Sequence, residues 1–421
     1  MIKRTLKSHC GFKSETVEMQ IIGGKTDFCA ERFGYKRGTD GITPSMGLTA
    51  FAPATSFANA QFAEYLPLCR RTVFKSTTGQ LAEWRGSGTV NSLGTLTSNF
   101  PSVLPCYGGG YKYVITSGYS LAKINSDGTA EIVDIPVKLL SSVMHCGRIF
   151  SNDVDDRYML RWSGYDFGDW TEKVDGAGHV RLKPRLGRVL NLFVIGEKIA
   201  AVREYGITLM STLGDFRHMR VELGETRRLP RVYENGSAIC GGQLWIYTRG
   251  GMFVFDGNNL TKAPFDTNML GYSLTNPEVL DERYIYYSAT RGSQTCLFEY
   301  DTETGAGTPF ADGCKCMFFT VDGGYCFNGS ALYRLSYGVS DANRRWVSEA
   351  VDPCAGKSKT LKGVLVEGSG DVAVEIDCDG RKVHADGVGR TNFSECGRKF
   401  TFKVTGEGSV TALTAEWEVR K

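Results

Sequence analysis

Apolar residues along this chain come in pairs of short blocks separated by turns. In QLWIYTRGGMFVFDG, Gln243–Gly257, the blocks Leu244–Tyr247 and Met252–Phe255 flank a Thr-Arg-Gly-Gly turn. Successive side chains of a strand point to opposite faces of the sheet, so a half-exposed hairpin alternates apolar and polar residues. Both blocks are apolar at every position, which predicts a hairpin that is covered on both faces.

The same pattern of strand, turn and strand occurs in six other segments. They begin at Arg71, Tyr111, Arg148, Lys198, Tyr284 and Gly324. The turns recur about every 42 residues on average, within the spacing of about 40 to 50 residues of four-stranded propeller blades. Stacked blades cover each other's inner strands. The rhythm therefore predicts six or seven blades between Phe62 and Gly338, whereas the strands of stacked sandwiches would be spaced about 8 to 12 residues apart.

The two ends of the chain differ from this repeat. After Asp341, segments such as DVAVEIDCDGRKV and KFTFKVTGEG alternate strictly, which predicts a small β-sandwich from Arg344 to Lys421. Residues 1–60 are rich in Gly, Ala, Ser, Thr and Pro and predict an irregular arm, in which Thr16–Ile22 supplies a strand that closes the propeller ring.

The predicted fold class is therefore all-β: a six- or seven-bladed β-propeller with an irregular N-terminal arm and a C-terminal β-sandwich. The predicted domains are an N-terminal arm or cap at 1–60, the propeller at 61–342 and the sandwich at 343–421. Glycine makes up 51 of the 421 residues, beside 23 Phe and 19 Tyr, which is typical of short strands joined by tight turns.

Charge and cysteine content narrow the class of protein. The formal net charge of +3 gives no global attraction to nucleic acid or to an anionic membrane. No segment has the apolar run of about 18 residues that a membrane helix needs, or the apolar core of a signal peptide. We therefore expect a soluble protein without a secretion signal. Its 13 cysteines are odd in number and sparse, which favours reduced thiols.

The sequence contains no recognisable catalytic motif. The five histidines lack metal-ligand spacing, and the side chains of His145–Cys146 would diverge on a strand. The spacing of Cys314–Cys316 does not match a zinc knuckle. The aspartates of Asp153–Asp156 lie in a predicted turn, where they either bond the local backbone or hold Ca²⁺. We expect no enzymatic activity, no cofactor and no metal site.

The most basic local stretch is RHMRVELGETRRLPR. Arginine suits phosphate because its guanidinium offers two parallel donors. The alternatives are a solvated blade edge, whose charges deter sheet addition, and salt bridges between subunits. The candidate interface or phosphate contacts are Arg217, Arg220, Arg227, Arg228 and Arg231.

Two segments resemble the propellers of bacteriophage tail proteins, particularly the nozzle or tail-hub proteins of short-tailed phages. They are YMLRWSGYDFGDWTE, Tyr158–Glu172, and VLNLFVIGEKIAAVREYGITLMSTLGDFRHMRVE, Val189–Glu222. Gly250–Gly257 is similar to the blade end that often follows, and a trailing sandwich is common in such proteins. The positions that carry the resemblance are Trp162, Ser163, Asp166, Trp170, Val194–Val202 and Asp215–Phe216.

This resemblance implies a structural protein of the virion, assembled in the host cytoplasm. It implies a ring of identical subunits that lines or supports the channel through which DNA leaves. The implied partners are copies of the chain, other tail or connector proteins and non-specific DNA in the channel, without a membrane segment. The alternatives are a receptor- or glycan-binding propeller at a tail tip, a propeller glycosidase and a host scaffold protein.

Overall fold

The all-β fold class is confirmed by a computed structural model of the chain. The described residues are 2–9, 12–23, 26–38, 40–51, 57–87, 90–97, 101–108, 110–165, 167, 169–214, 218–265, 269–339 and 341–420. They form antiparallel strands and short turns, with single 3-10 turns at Val174–Gly176 and Pro184–Leu186.

The strands are numbered in chain order. The first group is β1 Ile2–His9, β2 Phe12–Gly23, β3 Thr26–Asp27, β4 Cys29–Phe33, β5 Tyr35–Gly38, β6 Gly41–Pro44 and β7 Gly47–Ala50. The second group is β8 Ala60–Leu66, β9 Arg71–Ser76, β10 Gln80–Trp84, β11 Asn91–Thr95, β12 Ser102–Gly108, β13 Tyr111–Asn125, β14 Ala130–His145, β15 Arg148–Asp153, β16 Met159–Trp162, β17 Gly178–Arg181, β18 Val189–Ile195, β19 Lys198–Arg203, β20 Gly206–Leu213, β21 Arg220–Arg228, β22 Val232–Cys240, β23 Gln243–Thr248, β24 Gly251–Phe255, β25 Leu260–Lys262, β26 Ser273–Leu280, β27 Tyr284–Arg291, β28 Gln294–Asp301, β29 Gly307–Phe310, β30 Cys314–Thr320, β31 Gly323–Asn328 and β32 Ala331–Ser336. The third group is β33 Arg345–Ser348, β34 Lys359–Ser369, β35 Val372–Cys378, β36 Arg381–Asp386, β37 Gly389–Gly397, β38 Phe400–Gly406 and β39 Ser409–Arg420.

The second group, together with β7 of the first, forms a β-propeller of antiparallel sheets. The sheet orders are β11-β10-β9-β8, β12-β13-β14-β15-β16-β17, β18-β19-β20-β21, β22-β23-β24-β25, β26-β27-β28-β29 and β30-β31-β32-β7. In the six-stranded sheet, Ala130–Asp134 of β14 pairs with β13, whereas Ser142–His145 pairs with β15. One long strand thus ends one blade and begins the next, and we count seven blades over the described residues.

The doubly apolar hairpins are the middle strands of the blades, as the sequence pattern predicts. Strand β23 pairs with β24, with Leu244 opposite Phe255 and Thr248 opposite Gly251. Neighbouring blades supply the cover on both faces. For example, Ile207 of β20 packs in one core cluster with Leu244 and Phe255. Burial of each such side chain contributes about 1.5–3 kcal/mol, so each blade is stabilised mainly by its neighbours.

The first strands of the blades line the propeller axis. Strand β30 lies beside both β26 and β8, and β14 lies beside both β12 and β18. The pairing register shifts within β8, β14, β18, β22, β26 and β30. A β-bulge bends a strand and redirects its side chains. These repeated irregularities therefore determine which side chains face the axis.

The N-terminal strands belong to the sandwich, which corrects the expectation of an irregular arm. Strand β2 pairs with the last strand, β39, with Val17 opposite Trp417. One sheet has the order β1-β2-β39-β34-β37, with β3, β5 and β6 attached, and the other has β36-β35-β38-β33-β4. Ile21, Tyr35 and Trp417 share one buried core. Thr16–Ile22 therefore extends the sandwich, because its partner is β39, and the prediction that it closes the propeller ring is wrong.

The chain divides into two compact units. One comprises Met1–Thr49, Ala306–Asp312 and Leu335–Lys421, and the other comprises Ala50–Gly305 and Gly313–Arg334. These units differ from the predicted domains 1–60, 61–342 and 343–421 because the N-terminal strands find their partners at the opposite end of the chain. No helix in the described part of the chain has the length and apolar character needed to span a bilayer.

Candidate functional site

A polar cavity lies along the propeller axis, where the first strands of the blades meet. A cavity of about 260 Å³ is formed by residues from these strands. Its lining residues are Phe62, Ala63, Glu64, Pro101, Ser102, Val103, Ser141, Ser142, Asn191, Leu192, Phe193, Asn235, Ser237, Asn276, Pro277 and Glu278. We call this the axial cavity. Serine and asparagine occupy positions at which an ordinary buried strand would place aliphatic residues.

Many of these polar side chains join one blade to another. Asn191 Nδ2 donates to Asn235 Oδ1 at 3.2 Å, which joins β18 to β22. Asn276 Nδ2 donates to the Gln61 carbonyl oxygen at 3.0 Å, which joins β26 to β8. Asn235 and Asn276 both have positive φ, a conformation that asparagine adopts more readily than most residues. Part of the polar lining is therefore structural.

Serine hydroxyls continue this set of bonds between first strands. The Ser142 N–H donates to Ser102 Oγ at 2.9 Å, from β14 to β12. The Leu192 N–H donates to Ser141 Oγ at 3.0 Å, from β18 to β14. Each bond satisfies a backbone N–H that would otherwise be costly to bury. The hydroxyls therefore stabilise the strand irregularities that shape the axial cavity.

Two carboxyl groups face the axial cavity from β8 and β26, the strands that the Asn276 bond joins. They belong to Glu64 and Glu278, which are half-buried. Burial raises the pKa of Glu64 to about 8. Burial and the Glu64 charge together raise the pKa of Glu278 well above its ordinary value. Such a pair retains a proton near neutral pH, and it has the chemistry either to exchange that proton or to hold a cation.

The candidate arginines do not form one cluster. Arg220 and Arg228 lie at opposite ends of β21, opposite Leu213 and Gly206, which separates their backbones by roughly 26 Å at the rise of a strand. Arg227 forms an ion pair with Glu225 at 2.5 Å, and Arg231 is exposed in the loop that follows the strand. Arg217 lies outside the described residues. The described arginines are thus distributed along the outer edge of one blade.

The aspartates of the NDVDD turn are occupied by local partners. Asp153 Oδ1 accepts the backbone N–H of Asp155 at 2.8 Å, and Asp153 Oδ2 pairs with Arg161 Nε at 2.7 Å. Asp155 pairs with Lys138, and Asp156 pairs with Arg181. This arrangement is the turn-stabilising alternative of the two that the sequence left open. Among the described residues, no three His, Cys, Asp or Glu side chains are grouped around one point.

His145 and Cys146 converge on one hydroxyl, which corrects the expectation that they would diverge. Thr212 Oγ1 lies 3.1 Å from His145 Nε2 and 3.4 Å from Cys146 Sγ. Cys146 has φ +48° and lies in the turn after β14, so the alternation of a strand does not apply to it. Burial lowers the pKa of His145, which favours its neutral form.

The Cys314–Cys316 segment is part of a buried strand. Both thiols are buried, and Cys316 Sγ donates to the Ala60 carbonyl oxygen at 3.4 Å. Burial raises the pKa of Cys316 to about 12, so this thiol stays protonated. The twelve cysteines in the described residues are all free thiols.

The positions that carry the phage-tail resemblance have structural roles where they are described. Trp162 Nε1 donates to the Gly176 carbonyl oxygen at 2.8 Å, and Trp170 Nε1 donates to the Phe167 carbonyl oxygen at 3.1 Å. Val194–Val202 spans the hairpin of β18 and β19. These contacts fix the loop after β16 and one blade. Asp166 and Asp215–Phe216 lie outside the described residues.

Sequence reasoning missed the axial cavity and its two glutamates. Glu64 and Glu278 are separated by most of the propeller sequence, so no local motif joins them. One signal was present: polar residues recur in the first strands, at Gln61, Ser102, Ser141, Asn191, Asn235 and Asn276. Their steps follow the blade rhythm of about 40 to 50 residues.

Comparison with solved structures shows the fold. The Cps50 (Swd1) β-propeller domain of Myceliophteria thermophila aligns with a TM-score of 0.51 and 11% identity, over 70% of this chain and 100% of that domain. BamB from Moraxella catarrhalis aligns with a TM-score of 0.39 and 12% identity, over 72% of this chain and 94% of BamB. No protein-family model and no curated protein matches the chain. The likeness to the Swd1 domain establishes a β-propeller and carries no information on function.

Proposed function

We propose that this chain is a structural subunit of a bacteriophage tail, which assembles with copies of itself into a ring around or beside the DNA exit channel. The support is the resemblance of Tyr158–Glu172 and Val189–Glu222 to tail nozzle and hub propellers. The propeller gives such a subunit a rigid body with many exposed loops for neighbouring proteins. Its partners in this role are other copies, tail or connector proteins and DNA passing through the channel without sequence preference.

The structural observation that best supports self-association is β21. This strand is the outermost strand of its blade, and most of its nine residues are exposed, including Leu223 at 45%. A sheet edge presents unpaired backbone groups that a second chain can meet. Glu222 and Glu225 lie in the middle of β21, between Arg220 and Arg227–Arg228, so the edge exposes charges of both signs that a different surface of a second copy can pair. A ring of more than two subunits is built from such head-to-tail contacts. The symmetry of a closed homo-oligomer requires such complementary surfaces.

The purified full chain tests this proposal. Sedimentation velocity over a range of concentrations should show a discrete oligomer, and cryo-electron microscopy should show a closed ring. The double variant Glu222→Lys with Glu225→Lys should dissociate it, because it gives β21 a single sign of charge. The matched control, Glu172→Lys with Glu349→Lys, changes the same charge at exposed sites and should leave the oligomer intact.

Two results would count against the proposal. A monomer at every concentration, together with single copies lacking self-contact in the assembled particle, would overturn the ring. An oligomer that survives the β21 reversal would remove β21 as its interface. Gene neighbourhood gives an independent check, because a tail protein is expected beside capsid, portal and terminase genes.

A glycan-binding role at a tail tip is the second candidate, and exposed tyrosines favour it. Tyr119, Tyr165 and Tyr205 are 42%, 59% and 47% exposed, and aromatic faces are common in binding surfaces. Binding of the purified chain to a glycan array, and its loss after substitution of these tyrosines by Ala, would support this role over a purely structural one.

A propeller glycosidase is favoured by one observation, the carboxyl pair in the axial cavity. Glycosidases use two carboxyl groups, one of which has a raised pKa. Turnover of glycoside substrates that disappears in both Glu64→Ala and Glu278→Ala would establish this activity. Absence of turnover on a broad panel of glycosides would exclude these substrates and leave the structural role as proposed.

A further inference from the structure

The axial cavity contains buried oxygen atoms without hydrogen-bond partners. Ser237 is 3% exposed, and its Oγ has no partner. Asn191 Oδ1 lacks a partner as well, although the Nδ2 of the same side chain is bonded to Asn235. An unsatisfied buried polar atom costs about 1–3 kcal/mol. A ligand that contacts these oxygens would recover that energy.

The charge of the cavity is also uncompensated. Glu64 and Glu278 face it, and its described lining contains no Lys, Arg or His. Arg157, at the adjoining part of the channel, is engaged by Glu234 at 2.6 Å. From β30, between the two glutamate strands, the nearby titratable group is the Cys316 thiol, which is protonated because its pKa is raised to about 12. Both glutamates therefore lack a positive partner within the cavity.

These two observations select the chemical class of the ligand. The atoms available to a ligand in the cavity are carboxylate, amide and hydroxyl oxygens. Hard divalent cations prefer to be coordinated by such oxygens. The set is irregular and drawn from four strands, which suits Ca²⁺, whose coordination is flexible, better than Mg²⁺, which demands a near-ideal octahedron. The volume of about 260 Å³ leaves room for several waters to complete the shell.

We propose that the axial cavity is a Ca²⁺ site in which Glu64 and Glu278 supply the charge, and Ser237 Oγ and Asn191 Oδ1 supply neutral oxygens, directly or through water. The ion connects β8, β18, β22 and β26 and thereby holds first strands of four blades together. With two carboxylates, its dissociation constant falls at about 0.1–1 mM, the weak end of protein Ca²⁺ sites. This inference concerns the single chain and is independent of ring formation.

Titration calorimetry with CaCl₂ at pH 8 tests the site on the full chain. Wild type should bind about one ion, and CaCl₂ at about ten times the dissociation constant should raise the thermal midpoint by about 2 °C. Glu64→Gln and Glu278→Gln should each lower the affinity at least tenfold. The control Glu234→Gln, at the adjoining part of the channel, should stay within about twofold of wild type.

The glutamine variants keep the shape of the side chain and remove a repulsive charge, so they should fold. Their thermal midpoints without CaCl₂ check this directly. Ser237→Ala is the second test, because it removes a neutral ligand without altering charge, and it should weaken binding by a smaller factor. Wild type that shows neither heat nor a shift of midpoint up to 10 mM CaCl₂ would overturn the site. Binding that persists unchanged in both folded glutamine variants would overturn it equally.

Discussion

The rings of Phe74 and Phe327 meet edge to face, with their centroids 5.1 Å apart. Phe74 lies in the middle of the first blade and Phe327 in the last, and Trp84 and Phe318 belong to the same buried cluster. A propeller requires its first and last blades to cover each other, since each would otherwise expose an apolar face. This aromatic contact is therefore where the ring of blades closes within the propeller.

Removing either ring of this contact should destabilise the propeller, and the two effects should not be additive. Phe74→Ala and Phe327→Ala should each lower the free energy of unfolding by about 3–5 kcal/mol, as truncations of buried phenylalanine do. The double variant should lose less than the sum by about 0.5–1.5 kcal/mol, the typical energy of an aromatic pair. Urea denaturation measures all three variants.

Phe255 provides the control for that cycle. It is fully buried between two other blades, so Phe255→Ala should cost a similar energy and should add to Phe74→Ala without coupling. If the double variant of Phe74 and Phe255 shows the same coupling energy as that of Phe74 and Phe327, the contact between Phe74 and Phe327 does not stabilise the propeller directly.

Two adjacent arginines in the sandwich unit should differ strongly in how much stability is lost when each is replaced by Ala. Arg344 is 2% exposed, forms an ion pair with Glu407 and donates to the carbonyl oxygens of Gly34 and Ser45 at 3.1 and 3.2 Å. Arg344→Ala removes the buried ion pair and both hydrogen bonds, although the Gly34 carbonyl oxygen keeps the Ser45 N–H and Glu407 keeps the Asp341 N–H. It should lower the free energy of unfolding by about 3–5 kcal/mol. Arg345 forms an exposed pair with Glu31, and Arg345→Ala should cost less than about 1 kcal/mol. Similar losses in urea denaturation would contradict this account.

Local patterns predicted the blades well because each hairpin is formed by neighbouring residues. The apolar blocks of one hairpin, Leu244–Tyr247 and Met252–Phe255, predict two strands that are buried on both faces of the sheet. The partner of Thr16–Ile22 was not predictable in this way, because alternation indicates a strand without naming its neighbour. The Glu64 and Glu278 pair was hidden for the same reason: the ring brings together strands that are distant in sequence.

Cysteine labelling should distinguish the exposed thiols from the buried ones. Cys146 and Cys396 are exposed, whereas Cys296 and Cys326 are fully buried. Burial raises the pKa of Cys326, which suppresses the reactive thiolate as well as access to it. Iodoacetamide on the native chain, followed by peptide mass spectrometry, should modify Cys146 and Cys396 first. Equal modification of all four thiols before denaturant is added would contradict the fold at these positions.

The raised pKa of Glu64 predicts how stability depends on pH. Its folded value of about 8 lies above the ordinary value of 4.5, so between these values the folded chain retains a proton that the unfolded chain has lost. The free energy of unfolding should therefore fall as pH rises from about 5 to about 8, by at most about 1.4 kcal/mol per pH unit for each retained proton. Above pH 8 this contribution should level off.

Glu64→Gln tests the assignment, since glutamine cannot ionise. In urea denaturation at pH 5, 6, 7 and 8, this variant should lose part of the slope, and the remainder should reflect Glu278. The exposed control Glu172→Gln should keep the wild-type slope, because an exposed carboxyl group differs little between the folded and unfolded chain. A Glu64→Gln slope equal to that of wild type would mean that this carboxyl group does not carry the proton. CaCl₂ at pH 8, at about ten times the dissociation constant, should offset about 1.4 kcal/mol of the loss in wild type but little in Glu64→Gln, because the cation replaces the proton between the two carboxylates.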